Sequence, residues 1–244
     1  MKIGTSTLLG IIILTPLLLG SGTLVSSPGA DNANTAAKLI ALLFDMGRVV
    51  IGEHQSLINN ELKGNKGFTP EVFTKAVLKK FEQESELSWE HLQRESIPPQ
   101  AKTLLPTLLS IQIEVVKQRQ PIINMLGVGF KGVIPATFGT TVSLRFRHES
   151  GAYLKQTAPQ VRNRRNAPDE YESDVLTRFA DPSYPIGETL SETVESGKAV
   201  RVMIPLYYGA SCLACHGEPK GEVDKTGHKK EGGRLGELGG AISV

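Results

Sequence analysis

The chain has 244 residues, of which 40% are hydrophobic and 21% charged, and its formal net charge is +2. That length suits one substantial domain or two small ones. The nearly balanced charge argues against a basic nucleic-acid tail and against a generally cationic membrane binder, so no nucleic-acid partner is predicted.

The first segment, residues 1–30, has the features of an export signal. Lys2 precedes an uncharged, mostly apolar run from Ile3 to Val25, and small residues suited to cleavage follow at Gly20-Ser21-Gly22. The run is also just long enough to span a bilayer if it stays uncut. We expect a periplasmic or other extracytoplasmic protein with a cleaved signal peptide. A membrane anchor through residues 3–25 is the alternative.

A helical region is predicted for residues 31–150. Asp31 to Ala37 looks like a linker of small residues, and the apolar positions of Leu39 to Ile58 recur at helical spacing. Asn59 to Gly67 interrupts this helix. A second helix then runs from Thr69-Pro70 to about Gln83, with Thr69 as its cap and proline in its first turn.

The helical region also contains an internal repeat. Shifting the sequence by 65 positions aligns residues 50–81 with residues 115–146 without gaps and gives eleven identities within those 32 residues. Each copy has a helix, a glycine-containing loop and a helix that begins at proline. The matched residues are mainly of capping and core types, which favours a duplicated scaffold over a duplicated ligand-binding loop.

Residues 151–244 have a different pattern, with short predicted strands, one helix and a charged, glycine-rich loop. The predicted class is α+β, with a small antiparallel sheet. Its predicted segments are a strand at Tyr153–Thr157, a basic loop at Arg162–Ala167, a helix at Asp169–Phe179, a hairpin of Leu190–Val194 and Ala199–Leu206, and a last strand at Ala241–Val244.

The two cysteines of the chain lie three residues apart in Cys212-Leu213-Ala214-Cys215-His216. Cys-x-x-Cys-His is the attachment signature of c-type haem. Its spacing lets two thiols add to the two vinyl groups of one porphyrin while the adjacent imidazole binds the iron. We therefore predict one covalently attached haem (heme c), with His216 as the proximal iron ligand.

Three other uses of these cysteines are open. A thioredoxin-like redox pair usually opens a helix within a βαβ unit, which the flanking residues do not suggest. A zinc site needs a fourth ligand, and His228 could supply it only if the chain doubled back. A disulfide across so short a loop would stabilise the fold modestly.

The sequence resembles a family of exported single-haem c-type domains with a PAS-like fold, the Tll-like family, which occur as free cytochromes and as sensor ectodomains. The resemblance implies a PAS-like antiparallel sheet that carries one c-type haem, with long N-terminal helices packed against it and residues 31–244 forming one unit. Some members complete the iron coordination with a helix cysteine that this chain lacks. The segments that carry the resemblance are Leu154–Thr157, Arg162-Asn163, Asn166–Asp169, Arg201–Leu206, Ser211–Gly217 and Gly236–Val244.

The ligand on the second face of the iron is not evident from the sequence. Met46 and His54 lie on the first long helix, about where the family's cysteine falls, and they lead the candidates for a distal ligand. An open or water-bound site is the alternative, which would admit small gases. The remaining candidates are His91, Met125, His148 and His228.

Haem propionates favour nearby basic or tyrosine donors. Arg201, which precedes the apolar strand leading into the motif, is the predicted partner, and Arg162 and Lys155 are weaker candidates. Tyr208, just before the motif, is predicted to contact the cofactor through its ring.

These features predict an exported monohaem c-type cytochrome that acts in electron transfer or in redox or small-gas (NO, CO) sensing. Its expected partners are a redox protein or a diatomic gas, and a homodimer is compatible with the sequence. A haem enzyme of the peroxidase or nitrogen-oxide reductase type is the alternative, although no distal acid–base pair is apparent. An exported module with a purely structural haem is the third hypothesis.

Overall fold

The structure, a computed structural model, describes residues 28–194 and 199–244. It is an α+β fold with one four-stranded antiparallel sheet, which confirms the predicted class. The helices are α1 (Pro28–Glu53), α2 (Gln55–Ile58), α3 (Pro70–Ser85), α4 (Pro99–Ile123), α5 (Pro135–Ser150), α6 (Glu170–Phe179) and α7 (Leu213–His216), and the strands are β1 (Lys155–Thr157), β2 (Leu190–Val194), β3 (Ala199–Tyr207) and β4 (Leu238–Ser243).

Helix α1 begins earlier than predicted, at Pro28, so the linker expected from Asp31 to Ala37 is wrong. Alanine is the strongest helix former, and this segment is rich in it. Ala36 and Ala37 are also buried, so tertiary packing holds the first turns in place. The helix then breaks at His54, and α2 ends at Ile58, where the sequence predicted the end of the long helix.

Helix α1 is the centre of the helical region, which we define as residues 28–150. It packs against α3, α4 and α5, and the shared core is apolar and aromatic. The predicted start of α3 is confirmed, because the Thr69 hydroxyl accepts a hydrogen bond from Val72 N at 3.3 Å. The buried phenylalanines of this core are Phe44, Phe68, Phe73, Phe81, Phe138 and Phe146.

The sequence repeat is visible as paired contacts between its two copies. Gln55 Nε2 donates to Val133 O at 2.8 Å, and Gln120 Nε2 donates to Phe68 O at 3.0 Å. Gln55 and Gln120 are equivalent positions of the 65-residue repeat, and so are Phe68 and Val133. In both bonds, the glutamine of one copy therefore donates to a backbone carbonyl of the other copy.

The same exchange recurs one turn further along the chain. Asn59 Oδ1 accepts from Lys131 N at 3.1 Å, and Asn124 Oδ1 accepts from Lys66 N at 2.9 Å. These bonds satisfy backbone groups in loops whose lysines are themselves buried. The duplication thus has a structural role, in agreement with the scaffold interpretation.

The sheet has the strand order β1-β4-β3-β2, with every neighbouring pair antiparallel. Alternate residues face opposite sides. Ile242 belongs to the core of the helical region, while Met203 and Ala241 pack with Val175 and Phe179 of α6. The hairpin of β2 and β3 is confirmed by its pairing, and its predicted turn at residues 195–198 lies outside the described residues.

The predicted signal or anchor, residues 1–30 with the apolar run 3–25, lies almost wholly outside the described residues. Within residues 28–194 and 199–244, no helix has the length and apolar character needed to cross a membrane.

Candidate functional site

The Cys212–His216 motif occupies one short helical turn that begins a few residues after β3 ends at Tyr207. Cys215 N and His216 N donate to Cys212 O at 3.1 and 3.0 Å, which closes the turn. Both cysteines are free thiols and half-buried. The turn therefore places two thiols and one imidazole within a single short segment.

His216 is held by one hydrogen bond and one ring contact. Its Nδ1 lies 2.8 Å from Glu231 Oε2, and an ionised carboxylate can only accept, so Nδ1 carries the proton. The ring stacks on Tyr208 with centroids 5.4 Å apart and an interplanar angle of 23°. The side chain is 33% exposed. Nε2 is the ring nitrogen left for a ligand or metal.

Tyr208 packs in a narrow slot behind the histidine. A Cβ on Gly233 would lie 2.5 Å from the Tyr208 ring, and one on Gly239 would lie 2.8 Å from it. Two backbone hydrogen bonds also fix the position of Tyr208. Its N–H donates to Glu237 O, and Gly236 N donates to Tyr208 O, both at 2.9 Å. Burial raises the pKa of Tyr208, so the phenol stays neutral at physiological pH.

Arg162 ties the motif to the loop that follows it. Its Nε lies 2.8 Å from Glu231 Oε1, its Nη1 2.5 Å from Asp224 Oδ2, and its Nη2 2.8 Å from Cys215 O. One guanidinium thus joins the histidine's carboxylate partner, a buried aspartate and the motif backbone. The planar fork of arginine suits such multiple bonding.

Two carboxylates of this network are ionised at neutral pH despite their burial. Burial alone would raise the pKa of Glu231, but hydrogen bonds from Arg162 and His216 lower it below the ordinary value. The side chain of Asp224 is fully buried, and burial opposes its ionisation too. Hydrogen bonds from Thr226 and Arg162 nevertheless hold its pKa well below the usual range.

A family model described as Tll0287-like matches residues 31–244, which is most of the chain. The chain belongs to the Tll0287-like family. Among solved structures, the crystal structure of the cyanobacterial heme-protein Tll0287 is 22% identical, covering 44% of this chain and 68% of that chain with a TM-score of 0.38. That TM-score is too low for the backbone similarity to support a conclusion about this chain. No curated protein matches the chain.

In this Tll0287-like protein, the surroundings of the cysteines are unlike those of a thioredoxin-type pair. Burial and the nearby Asp224 carboxylate raise the pKa of the Cys215 thiol. Reactive redox cysteines instead have lowered pKa values, commonly at the start of a helix in a βαβ unit. Here the motif follows a strand of an antiparallel sheet.

The structure does not bring Arg201 together with the motif. Arg201 precedes Tyr207 by six residues on β3, about 20 Å along the strand. Its guanidinium lies 2.8 Å from Asp169 Oδ2, 3.1 Å from Glu172 Oε1 and 3.1 Å from Ser243 Oγ.

Lys155 belongs to the same distant cluster, because its Nζ lies 2.5 Å from Glu172 Oε2. A cavity of about 460 Å³ lies at this far end of the sheet, with Ile40, Tyr153, Arg201 and Val244 in its lining. The propionate role of Arg201 stays a prediction. Of the three basic residues considered for it, the Tll0287-like protein places only Arg162 beside the motif.

Met46 and His54 lie in the helical region. Met46 packs against its core and is partly exposed. His54 Nδ1 donates to Val50 O at 2.8 Å, and its ring lies against Phe68 with centroids 4.5 Å apart. His54 therefore has Nε2 as its remaining nitrogen, and the distal role of either residue stays a prediction.

Sequence reasoning missed Glu231 and Asp224, the two acidic partners of the motif. Both lie in a charged, glycine-rich loop, 15 and 8 residues after His216. No local periodicity or capping pattern distinguishes them from the other charged residues there. Only the folding back of the loop onto Arg162 and His216 selects them.

Proposed function

We propose that this protein is an exported monohaem c-type cytochrome. One haem is attached covalently through Cys212 and Cys215, and Nε2 of His216 binds its iron. The protein acts in electron transfer or in the sensing of redox state or a diatomic gas. Its haem lies on a PAS-like sheet in an extracytoplasmic compartment, which the protein reaches through the segment 1–30.

The hydrogen bond from His216 Nδ1 to Glu231 carries this proposal. Histidines that bind metals almost always donate the other ring N–H to a carboxylate, a carbonyl or water, which sets the tautomer and the ring direction. His216 has such a partner at 2.8 Å, so Nε2 is available as a metal ligand. A surface histidine with no ligand needs no such arrangement.

The other residues around the motif also fit a covalently attached porphyrin. Both thiols are free and half-buried on the turn that carries His216. No apolar side chain of residues 209–237, all described, is buried, so apolar burial alone would hold a cofactor weakly there. Two thioether bonds meet that need. Leu206, near the end of β3, adds partly exposed apolar surface.

When bound, haem supplies one-electron redox chemistry and a site for diatomic gases. The protein's own residues set the conditions. His216 would bind the iron through Nε2, Glu231 accepts a hydrogen bond from its Nδ1–H, and Tyr208 stacks on its ring. We propose Met46 or His54 as the distal ligand, and a redox protein or a diatomic gas as the partner.

Expression in a host with c-type maturation machinery tests the proposal. We expect wild-type protein to keep its haem spectrum and one haem of added mass after denaturation. Cys212→Ala/Cys215→Ala should lose the covalent haem, and His216→Ala should lose the axial nitrogen signature. Gln83→Ala, which replaces an exposed residue of α3 that is not among the candidate ligands, is the control and should retain both. Colourless wild-type protein with two titratable thiols contradicts the proposal.

Spectra of the oxidised and reduced protein, with and without CO or NO, distinguish electron transfer from gas sensing. Low-spin bands that ignore both gases indicate electron transfer, and their loss in Met46→Ala or His54→Ala identifies the distal ligand. High-spin bands that shift with gas indicate sensing. Peroxide turnover by the same protein would instead favour the enzyme alternative.

A further inference from the structure

We propose that Glu231 is the positioning residue of His216, and that its carboxylate directs Nε2 to the iron and favours the oxidised state of the haem. The inference deepens the proposed function and rests on it. It assigns a role to a residue that lies 15 positions from the motif and outside any recognisable pattern.

The carboxylate of Glu231 is fixed at both oxygens. Oε1 accepts from Arg162 Nε at 2.8 Å, and Oε2 accepts from Arg162 Nη2 at 2.9 Å and from His216 Nδ1 at 2.8 Å. Such a bidentate pair has strict geometry. The carboxylate therefore cannot turn away from His216 without breaking two bonds to Arg162.

The backbone around Glu231 is tied to the same histidine. Gly233 N, two residues further on, donates to His216 O at 2.7 Å. The face of the imidazole ring is constrained by Tyr208, whose ring stacks on it with centroids 5.4 Å apart. Two independent contacts thus define the plane of the histidine ring and the direction of its Nδ1–H bond.

An anionic acceptor changes the ligand electronically. A histidine that donates to a carboxylate becomes more basic at its other nitrogen and donates more electron density to a metal. That density stabilises ferric over ferrous iron and lowers the reduction potential. The positive charge of Arg162 partly offsets the negative charge of Glu231. Arg162 therefore reduces this electronic effect on His216 while it fixes the orientation of the carboxylate.

The main test compares Glu231→Gln with Glu222→Gln in holoprotein by spectroelectrochemistry. Glutamine keeps an acceptor oxygen but removes the negative charge. We expect the ferrous-to-ferric ratio of Glu231→Gln at a fixed ambient potential to rise about tenfold, which for one electron is ~59 mV. Glu222 lies in the same loop and pairs with Lys230 Nζ at 2.7 Å, so its variant should match wild type. Glu231→Asp should give an intermediate ratio.

A second measurement serves if a Glu231 variant fails to mature. Nitrogen-15 NMR of the full chain, made in a host without haem attachment, reports which ring nitrogen of His216 carries the proton. We expect Nδ1–H in wild type and in Glu222→Gln, and loss of that preference in Glu231→Ala.

The outcomes separate this inference from the proposed function. If haem attaches and Glu231→Gln has the wild-type ratio, or if wild-type His216 carries its proton on Nε2, Glu231 has no positioning role. Covalent haem attachment through Cys212 and Cys215 is measured separately by spectrum and mass, so the cytochrome proposal is then judged on that result alone. If the wild-type chain attaches no haem at all, the proposed function fails and this inference fails with it.

Discussion

The helical region and the motif loop, residues 209–237, are held together by different forces. The helical region buries six phenylalanines in one apolar core, and its two copies exchange equivalent hydrogen bonds. The motif loop, described in full, buries no apolar side chain, and Arg162 joins its carboxylates to the Cys212–His216 turn.

This difference determines how each region responds to change. Apolar burial is spread over many residues, so the loss of one polar contact removes a small part of the total. A charge network that converges on one guanidinium fails as a unit, and its carboxylates titrate. The helical region should therefore behave as a robust scaffold, and the motif loop as the part most sensitive to one residue and to acid.

The largest expected effect is that of Arg162→Ala. The substitution leaves the buried carboxylate of Asp224 and the partly exposed carboxylate of Glu231 without their shared cation, which costs about 3 kcal/mol locally. We expect faster amide hydrogen exchange across residues 217–231, with little change in the helical region. Arg119→Ala, which removes an exposed arginine of α4, is the control. Equal acceleration in both regions would show that the two do not open separately.

Substitution of either paired glutamine, Gln55 or Gln120, should destabilise the helical region less than Arg162→Ala destabilises the motif loop. Gln55→Ala and Gln120→Ala each leave one loop carbonyl without its donor, at a cost of about 1–2 kcal/mol. The pseudo-symmetry predicts equal losses of unfolding free energy. Urea denaturation followed by the fluorescence of Trp89, the only tryptophan, measures them.

Trp89 packs against Phe81 within the helical region, so it reports the scaffold directly. Gln83→Ala, at an exposed position of α3, is the control and should have no effect. Losses that differ by more than twofold between Gln55→Ala and Gln120→Ala would refute functional equivalence of the two copies.

The smallest expected effect is that of acid. The pKa of Asp224 is lower in the folded protein than its ordinary value of 3.8, so its ionisation stabilises the fold above pH 3.8 and the benefit is lost as pH falls further. At pH 3 the loss from this group is about 1 kcal/mol. Limited proteolysis between pH 7 and pH 3 should show the motif loop opening while Trp89 fluorescence stays constant.

Asp224→Asn should reduce that pH dependence of cleavage within residues 217–231, and the remainder comes from Glu231, whose pKa is also lowered. Cleavage that stays uniform from pH 7 to pH 3 in wild type would show that the carboxylates of the loop do not stabilise it.

Local patterns in the sequence were sufficient for much of the scaffold. Thr69-Pro70 specified the start of α3, because a hydroxyl cap and a proline in the first turn act within four residues. The hairpin of β2 and β3 and the 65-residue repeat were equally readable. The same patterns misjudged the start of α1, since small residues resemble a linker until packing buries Ala36 and Ala37.

By itself the sequence determined the α+β class, the duplicated scaffold and the adjacency of two thiols and one imidazole, because each depends on residues close together or on a strict period. Only the tertiary structure decided the partners of that imidazole. Glu231 is 15 residues from His216, and Arg162 is 69 residues from Glu231. Charged residues in a glycine-rich loop carry no period, so chain folding alone selects which of them meet.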